Sequence, residues 1–372
     1  MVYFPLILPA ARRLLRRLPF ESHCGSHERR CGQFHRCLAL TAGRLRSCWL
    51  YHVPDQRSQC HTARDVADAQ AVAQRLGISH HTLDLSESFR REVMDPFVQA
   101  YEQGQTPNPC VLCNRAIKFG ALLQAAQEMG CPLLATGHYA QVEQDSGSGR
   151  WLLKKALHPD KDQSYVLWTL TQQQLAATRF PLGRLSKEEI RAIALEQGLV
   201  SARKSDSQDI CFVPDGDYAS FICHHTGKHY PSGDFVDPQG NVLGRHQGII
   251  HYTLGQRRGL GVSSNQGRLY VTGLSPQDNT VTLGSNAALF HRNLTAGQLN
   301  LIAMERLDQP IQVMAKVRYR MTEQPAILEQ TGPDTARLTF QEPQRAITPG
   351  QSVVFYQDDV VLGGGIILSG ED

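Results

Sequence analysis

From about Cys60 onward, apolar residues recur with the periods of regular secondary structure, and the period changes along the chain. Val66, Ala69, Val72 and Leu76 share one helical face within Asp65–Ile78, where Asp65 suits the N-cap and Gly77 the stop. Ile117–Met129 predicts a second helix, closed by Gly130. It leads into the apolar run Cys131–Ala135, which reads as a buried parallel strand. Ser186 with Glu189 forms a capping box at the head of a helix that ends before Gly198. Strands alternating with helices over residues 60–213 predict a doubly wound α/β domain, whose ligands bind at the carboxyl ends of its strands. Thr136-Gly137-His138-Tyr139 follows such a strand and is well placed for a nucleotide.

Beyond about Pro214 the helical period fades. Residues 214–292 predict a small central domain. It holds the basic, glycine-rich loop Tyr252–Gly261 and a hairpin, Leu269–Leu283, turning at Ser275-Pro276-Gln277-Asp278-Asn279. Residues 293–372 are strand-like throughout and predict a small β-barrel. Within Ile311–Met321, Val313, Ala315, Val317 and Tyr319 are expected on one face, with Lys316, Arg318 and Arg320 on the other. Val353–Tyr356 and Val360–Leu362 predict a hairpin across Asp358-Asp359.

Residues 1–59 follow neither period. Met1 to Leu50 holds nine Arg, no Lys, no Asp and only Glu21 and Glu28 as acids; Met1–Phe20 alone resembles an Arg-rich transit peptide. Such a stretch is what a GC-rich gene gives when translated out of frame. Back-translated from Cys24 and read one base downstream, the codons permit Ala-Val-Ala-Met-Ser-Gly-Gly-Val-Asp-Ser-Ser. They then permit Ile-Ala-Ala-Trp-Leu-Leu-Gln-Gln-Ala-Gly-Tyr-Glu-Val-Val-Gly. The offset frame thus reads as strand, glycine-rich loop, amphipathic helix and strand. Residues 1–59 are therefore read as a frameshifted segment standing in place of a βαβ unit, its first strand lost; a genuine divergent extension is the other reading.

Composition narrows the function classes. The 372 residues are 41% hydrophobic and 20% charged, which excludes a disordered chain, a coiled coil and a disulfide miniprotein. No apolar run approaches the roughly 20 residues of a membrane helix, so the chain is not expected to be integral to a membrane, and a large chain without a convincing signal peptide is expected in the cytoplasm. A net charge of +3 confines any nucleic-acid binding to local basic patches. In a reducing compartment, the pair Cys110 and Cys113 suggests metal or redox chemistry rather than a structural disulfide.

Four segments carry candidate chemistry. In Thr106-Pro107-Asn108-Pro109-Cys110-Val111-Leu112-Cys113-Asn114, a thiol near a helix N-terminus is expected to have a lowered pKa; half of a zinc site is the other reading. Cys211, between Ile210 and Phe212, reads as core unless another thiol reaches it. Cys223-His224-His225 is a weak metal candidate, and no metal site is expected. Lys161-Asp162-Gln163-Ser164-Tyr165 suits phosphate and base-edge contacts or a solvated loop. Lys316, Arg318 and Arg320 beside Tyr319 suit a nucleic-acid backbone or an ordinary exposed strand face.

Taken in order, these segments resemble the tRNA-specific 2-thiouridylase family over about residues 60–372, together with Gly248, Thr348-Pro349-Gly350-Gln351 and Leu362-Gly363-Gly364-Gly365-Ile366. The offset frame supplies that family's Ser-Gly-Gly-Val-Asp-Ser-Ser pyrophosphatase (PP-loop) motif. The resemblance implies an ATP-dependent sulfurtransferase, with Mg as the counter-ion of ATP. It would act on C2 of the wobble uridine in tRNAs for Lys, Glu and Gln, fed by a persulfide relay protein. It implies Cys113 as nucleophile and Cys211 as persulfide carrier, joined in a transient disulfide. Gly137 would contact ATP, and Asn108, Pro109 and Cys110 the target base. His138, Lys161, Asp162, Gln163, Arg318, Tyr319 and Gln351 would contact tRNA. Three further readings are an inactive tRNA-binding remnant lacking the ATP loop, another ATP-activating enzyme of the same class, and a thioredoxin-like C-x-x-C oxidoreductase, against which the Asn108-Pro109-Cys110 context argues.

Overall fold

The computed structural model describes residues 78–196, 210–213, 215–263 and 267–372, helical residues 66–67, 70–71 and 73–74, and the backbone of 24–25 and 48–53. The chain forms two compact units, and the partition is not contiguous in sequence. One comprises Met1–Met94, Pro109–Gly216 and Asp359–Val361; the other comprises Asp95–Asn108, Asp217–Asp358 and Leu362–Asp372.

The first unit is built on a five-stranded sheet: β1 Cys24–Gly25, β2 Cys48–Val53, β3 Ser79–Asp84, β4 Leu134–Ala135 and β7 Thr178–Arg179, in the order β3-β2-β1-β4-β7. All four pairings are parallel. The order reverses between β1 and β4, a topological switch point of the kind where open α/β sheets bind ligands. The first strand, expected to be lost, is present as two residues: Cys24 aligns with Leu134 and Gly25 with Ala135. Parallel pairing uses backbone groups, which any residue supplies, so altered side chains do not forbid it. The rest of the offset-frame loop and helix lies outside the described residues.

The expected strand Cys131–Ala135 contracts to Leu134–Ala135, since Pro132 has no N–H to offer a ladder. The helix expected over Ile117–Met129 begins earlier, at Pro109. It runs as Pro109–Leu112, a π-helical Cys113–Ala121 and Leu122–Glu128. Proline at the first helical position lacks only a donor that would be unpaired there anyway. Gly130, at φ +78°, ends the helix as expected. The Ser186 capping box is formed: the Ser186 N–H donates to Glu189 Oε2 at 2.7 Å and the Glu189 N–H to Ser186 Oγ at 3.1 Å. A hairpin of β5 Ala140–Gln144 and β6 Trp151–Lys155 completes the unit, with Val360 and Val361 aligned along β6.

In the second unit, helix Asp95–Glu102 packs on helix Tyr218–Thr226. Tyr101 stacks on Tyr218 at 4.6 Å, and Phe97 meets Phe221 edge-on at 6.1 Å. His225 Nε2 lies 2.6 Å from Asp95 Oδ1, and Glu102 accepts from Lys228 and Tyr230. A four-stranded sheet follows, β10-β11-β8-β9, from β8 Gly233–Val236, β9 Val242–His246, β10 Tyr270–Ser275 and β11 Thr280–Gly284. Its β10–β11 hairpin turns where expected, with Asn279 at φ +50°.

The last six strands are β12 Phe290–Leu301, β13 Ile311–Lys316, β14 Gln324–Gly332, β15 Thr335–Arg345, β16 Ser352–Gln357 and β17 Val360–Glu371. They run β12-β15-β14-β13-β16-β17 and close through β12–β17. Val313, Ala315, Leu328, Leu338, Phe340, Phe355 and Ile367 fill the interior. The alternation expected to Met321 stops short. The strand ends at Lys316 and a turn donates the Met321 N–H to the Arg318 carbonyl, so Val317 is buried but Tyr319 is 39% exposed.

Candidate active site: a cleft with three thiols

Helix formation from Pro109 places Cys110 and Cys113 one turn apart. Both line a cleft with Phe89, Val93, Pro109, Ile210, Cys211 and Phe212, too narrow to admit a water molecule. Phe89 and Phe212 meet edge-on at 5.8 Å, so the segment carrying Cys211 is held by aromatic packing. Cys211, which reads as core by itself, therefore does have other thiols beside it.

The expected low pKa at Cys113 is not what the fold provides. Cys113 is 1% exposed. Burial pushes its thiol well above the ordinary 9.0, and Cys211 and then Cys110 add to the rise. The helix dipole acts over a single turn, and desolvation of an enclosed thiolate outweighs it. Among the described residues, no three His, Cys, Asp or Glu side chains converge as a metal site.

Sequence reasoning missed Lys118. In an α-helix Lys118 would point roughly 140° away from Cys113. In the π-helical stretch, where the Leu122 N–H reaches the Ile117 carbonyl, five residues make nearly one turn. Lys118 is 1% exposed, and its Nζ lies 3.3 Å from His138 Nε2, whose Nδ1 lies 2.7 Å from Thr136 Oγ1. Both contacts are satisfied when Nε2 accepts from Lys118 and Nδ1–H donates to Thr136. Burial brings the Lys118 amine down to about 7, with Cys211 acting in the opposite direction. Burial, and then Lys118, hold His138 well below 6.5. The one sequence signal was a lysine between the apolar residues Ile117 and Phe119 of a helix.

This amine has a pH signature. The unfolded chain carries its extra proton between about 7 and 10.5, so stability rises with pH across that window and the cost is full below it. Lys118→Met is expected to gain more against the native chain at pH 7 than at pH 9.5, read from urea midpoints. A pH-independent difference would contradict the burial argument.

The other expected residues divide between the two units. Gly137 stands between Thr136 and His138 at the end of β4. His138, 2% exposed, is an interior residue. Lys161-Asp162-Gln163 is a brace rather than a solvated loop. Asp162 accepts from the Ala156 and Ser164 N–H groups and from Ser164 Oγ, while Gln163 Oε1 accepts from the Tyr139 N–H at 3.0 Å. Asn108, Arg318, Tyr319 and Gln351 belong to the second unit. There the Arg318 guanidinium donates to the Ala346 carbonyl, and Gln351 Nε2 donates to the Thr106 carbonyl at 2.7 Å, two residues before Asn108.

Three family patterns match successive parts of the chain. The pattern described as the tRNA methyl transferase HUP domain matches residues 35–215, the tRNA methyl transferase PRC-barrel domain residues 219–285, and the aminomethyltransferase β-barrel domain residues 291–367. The tRNA-specific 2-thiouridylase MnmA of Clostridioides difficile is 46% identical over 308 residues, 83% of this chain and 85% of that protein. MnmA 1 of Caldanaerobacter subterraneus subsp. tengcongensis is 49% identical over 313 residues, 84% and 86% of the two chains. MnmA of Desulfitobacterium hafniense is 45% identical over 327 residues, 85% and 88%. With its HUP-type α/β unit, central barrel module and closed C-terminal barrel, the chain belongs to the family of tRNA-specific 2-thiouridylases.

Proposed function

We propose that the chain is a tRNA 2-thiouridylase acting in the cytoplasm, which moves sulfur from a cysteine persulfide to C2 of the wobble uridine in tRNAs for Lys, Glu and Gln. The observation that carries this reading is the shared cleft of Cys113 and Cys211. A relay protein loads Cys211 as a persulfide. The Cys113 thiolate attacks the inner sulfur, the outer sulfur leaves with the bonding pair for C2, and a Cys113–Cys211 disulfide remains. Asn108, Pro109 and Cys110 lie against the extruded base. Lys161, Asp162, Gln163, His138, Arg318, Tyr319 and Gln351 serve the tRNA surface, His138 from an interior position beside Lys118 and Thr136.

ATP, with Mg as its counter-ion, supplies the adenylate that turns the uridine O2 into a leaving group. Gly137 fits a nucleotide contact, since it follows β4 beside the switch point. The phosphate-gripping loop is read only in the offset frame of residues 24–59. That loop favours a second reading for the chain as translated, a tRNA-binding protein without thiolation.

One experiment separates the two. The chain is prepared as it stands and with residues 24–59 replaced by their offset-frame translation. Each is given tRNA, ATP and a persulfide donor, and AMP and 2-thiouridine are measured in a single turnover. The repaired chain is expected to release AMP and form 2-thiouridine, and the translated chain to bind tRNA without either product. AMP release by the translated chain would end the frameshift reading; no 2-thiouridine from the repaired chain would end the thiouridylase reading.

A further inference from the structure

The thiol cleft holds one more sulfur than the transfer reaction uses. Cys110, Cys113 and Cys211 all line it, and they differ in access: Cys113 is buried, whereas Cys110 and Cys211 are partly exposed. Cys110 and Cys113 are also one helical turn apart in Pro109-Cys110-Val111-Leu112-Cys113. Helix geometry sets Cα atoms three residues apart at roughly 5 Å, inside the range that a disulfide bridges.

A Cys113–Cys211 disulfide left by sulfur transfer is hard to open from outside at either end: attack on the partly exposed Cys211 sulfur would have to expel the buried Cys113, the poorer leaving group. Its Cys113 sulfur sits where an external reductant has no room, in a space too tight for water. Besides Cys211, the thiol that lines this cleft with Cys113 is that of Cys110.

We propose that Cys110 is the resolving thiol of this enzyme, attacking Cys113 Sγ in the Cys113–Cys211 disulfide to form a Cys110–Cys113 disulfide and free Cys211 for its next persulfide. The inference rests on the sulfur-transfer reading above. One S–S bond forms as another breaks. Cys110 gives up its proton to solvent, and the electron pair of the broken bond goes to Cys211, which is reprotonated. The exchange involves no net oxidation. A small external dithiol then reduces the Cys110–Cys113 bond through the accessible Cys110 sulfur, giving two electrons and two protons and ending as its own disulfide.

The direction of attack follows from leaving-group chemistry. Burial that pushes the Cys113 thiol up makes it the poorer leaving group, so attack at Cys113 with expulsion of Cys211 is the favoured course. The one-turn spacing favours the same product.

The test needs neither tRNA nor ATP. The full chain and its Cys110→Ser variant are oxidised with trans-4,5-dihydroxy-1,2-dithiane, acid-quenched over time and mapped by differential alkylation and mass spectrometry. The native chain is expected to show Cys113–Cys211 early and Cys110–Cys113 accumulating after it. Cys110→Ser is expected to stop at Cys113–Cys211 and to be re-reduced by dithiothreitol at least tenfold more slowly. A Cys113–Cys211 bond in the native chain with no Cys110 linkage at any time, or equal re-reduction rates, would overturn the resolving role alone. Absence of the Cys113–Cys211 bond from both proteins would instead overturn the transfer reading, and the resolving role with it.

Discussion

Cys113→Ser is expected to reduce 2-thiouridine formation by more than about a thousandfold in the frame-repaired chain, while tRNA affinity stays within about twofold. In the proposed mechanism the thiolate is the nucleophile, and a serine hydroxyl at the same place stays un-ionised at any working pH. The substitution changes one atom of a side chain that is 1% exposed. The cleft keeps its shape, and the polar surfaces proposed to meet phosphate are untouched. Nucleoside analysis by mass spectrometry reads the first effect, and a binding titration at one fixed salt concentration the second. Retained sulfur incorporation would remove Cys113 from the mechanism; a large loss of tRNA affinity would make it a structural residue.

The second large effect is expected far from the thiols. Gly363 faces Leu301 across the β12–β17 seam, and a Cβ there would run into the Asn300 carbonyl. Gly365 is nearly as confined, its added Cβ meeting Ala296 Cβ and the Gly297 carbonyl at 3.0 Å. The obstacle in both places includes backbone of the partner strand, which has no rotamer to give. Overpacking typically costs about 1–3 kcal/mol, and a rigid neighbour puts Gly363→Val at or above the upper end. Urea denaturation followed by barrel tyrosine fluorescence checks this. Gly227→Asn is the comparison: Gly227 is left-handed at φ +67° with open space around it, so asparagine is expected to cost only a few tenths of a kcal/mol. Equal midpoints for the two variants would contradict the packing argument.

These two sites differ in how far the sequence revealed them. The thiols were visible because Cys110 and Cys113 share a short motif, but their environment was not. Whether a thiol is exposed at a helix end or sealed beneath Phe89 and Phe212 is decided by segments more than a hundred residues apart in sequence. Lys118 was invisible for a related reason, since the π-helical winding that turns it toward the face of Cys113 leaves no mark in an apolar count. Local rules did better where local contacts decide the outcome. The Ser186 box, the Gly130 stop and the Ser275–Asn279 turn all formed as read. The Ile311 strand followed its alternation until a turn took over at Val317. The glycine run at Leu362–Ile366 was legible as a motif, and its confinement became clear only with β12 in place.

Because β12 pairs with β15 on one side and β17 on the other, the C-terminal barrel presents no unpaired ladder. Unpaired ladders are the surfaces on which chains recruit copies of themselves into fibrils. Crowding at Gly363 would therefore do more than weaken a fold. By prising the seam apart it would expose two sticky margins at once, and give the chain a surface that templates its own precipitation.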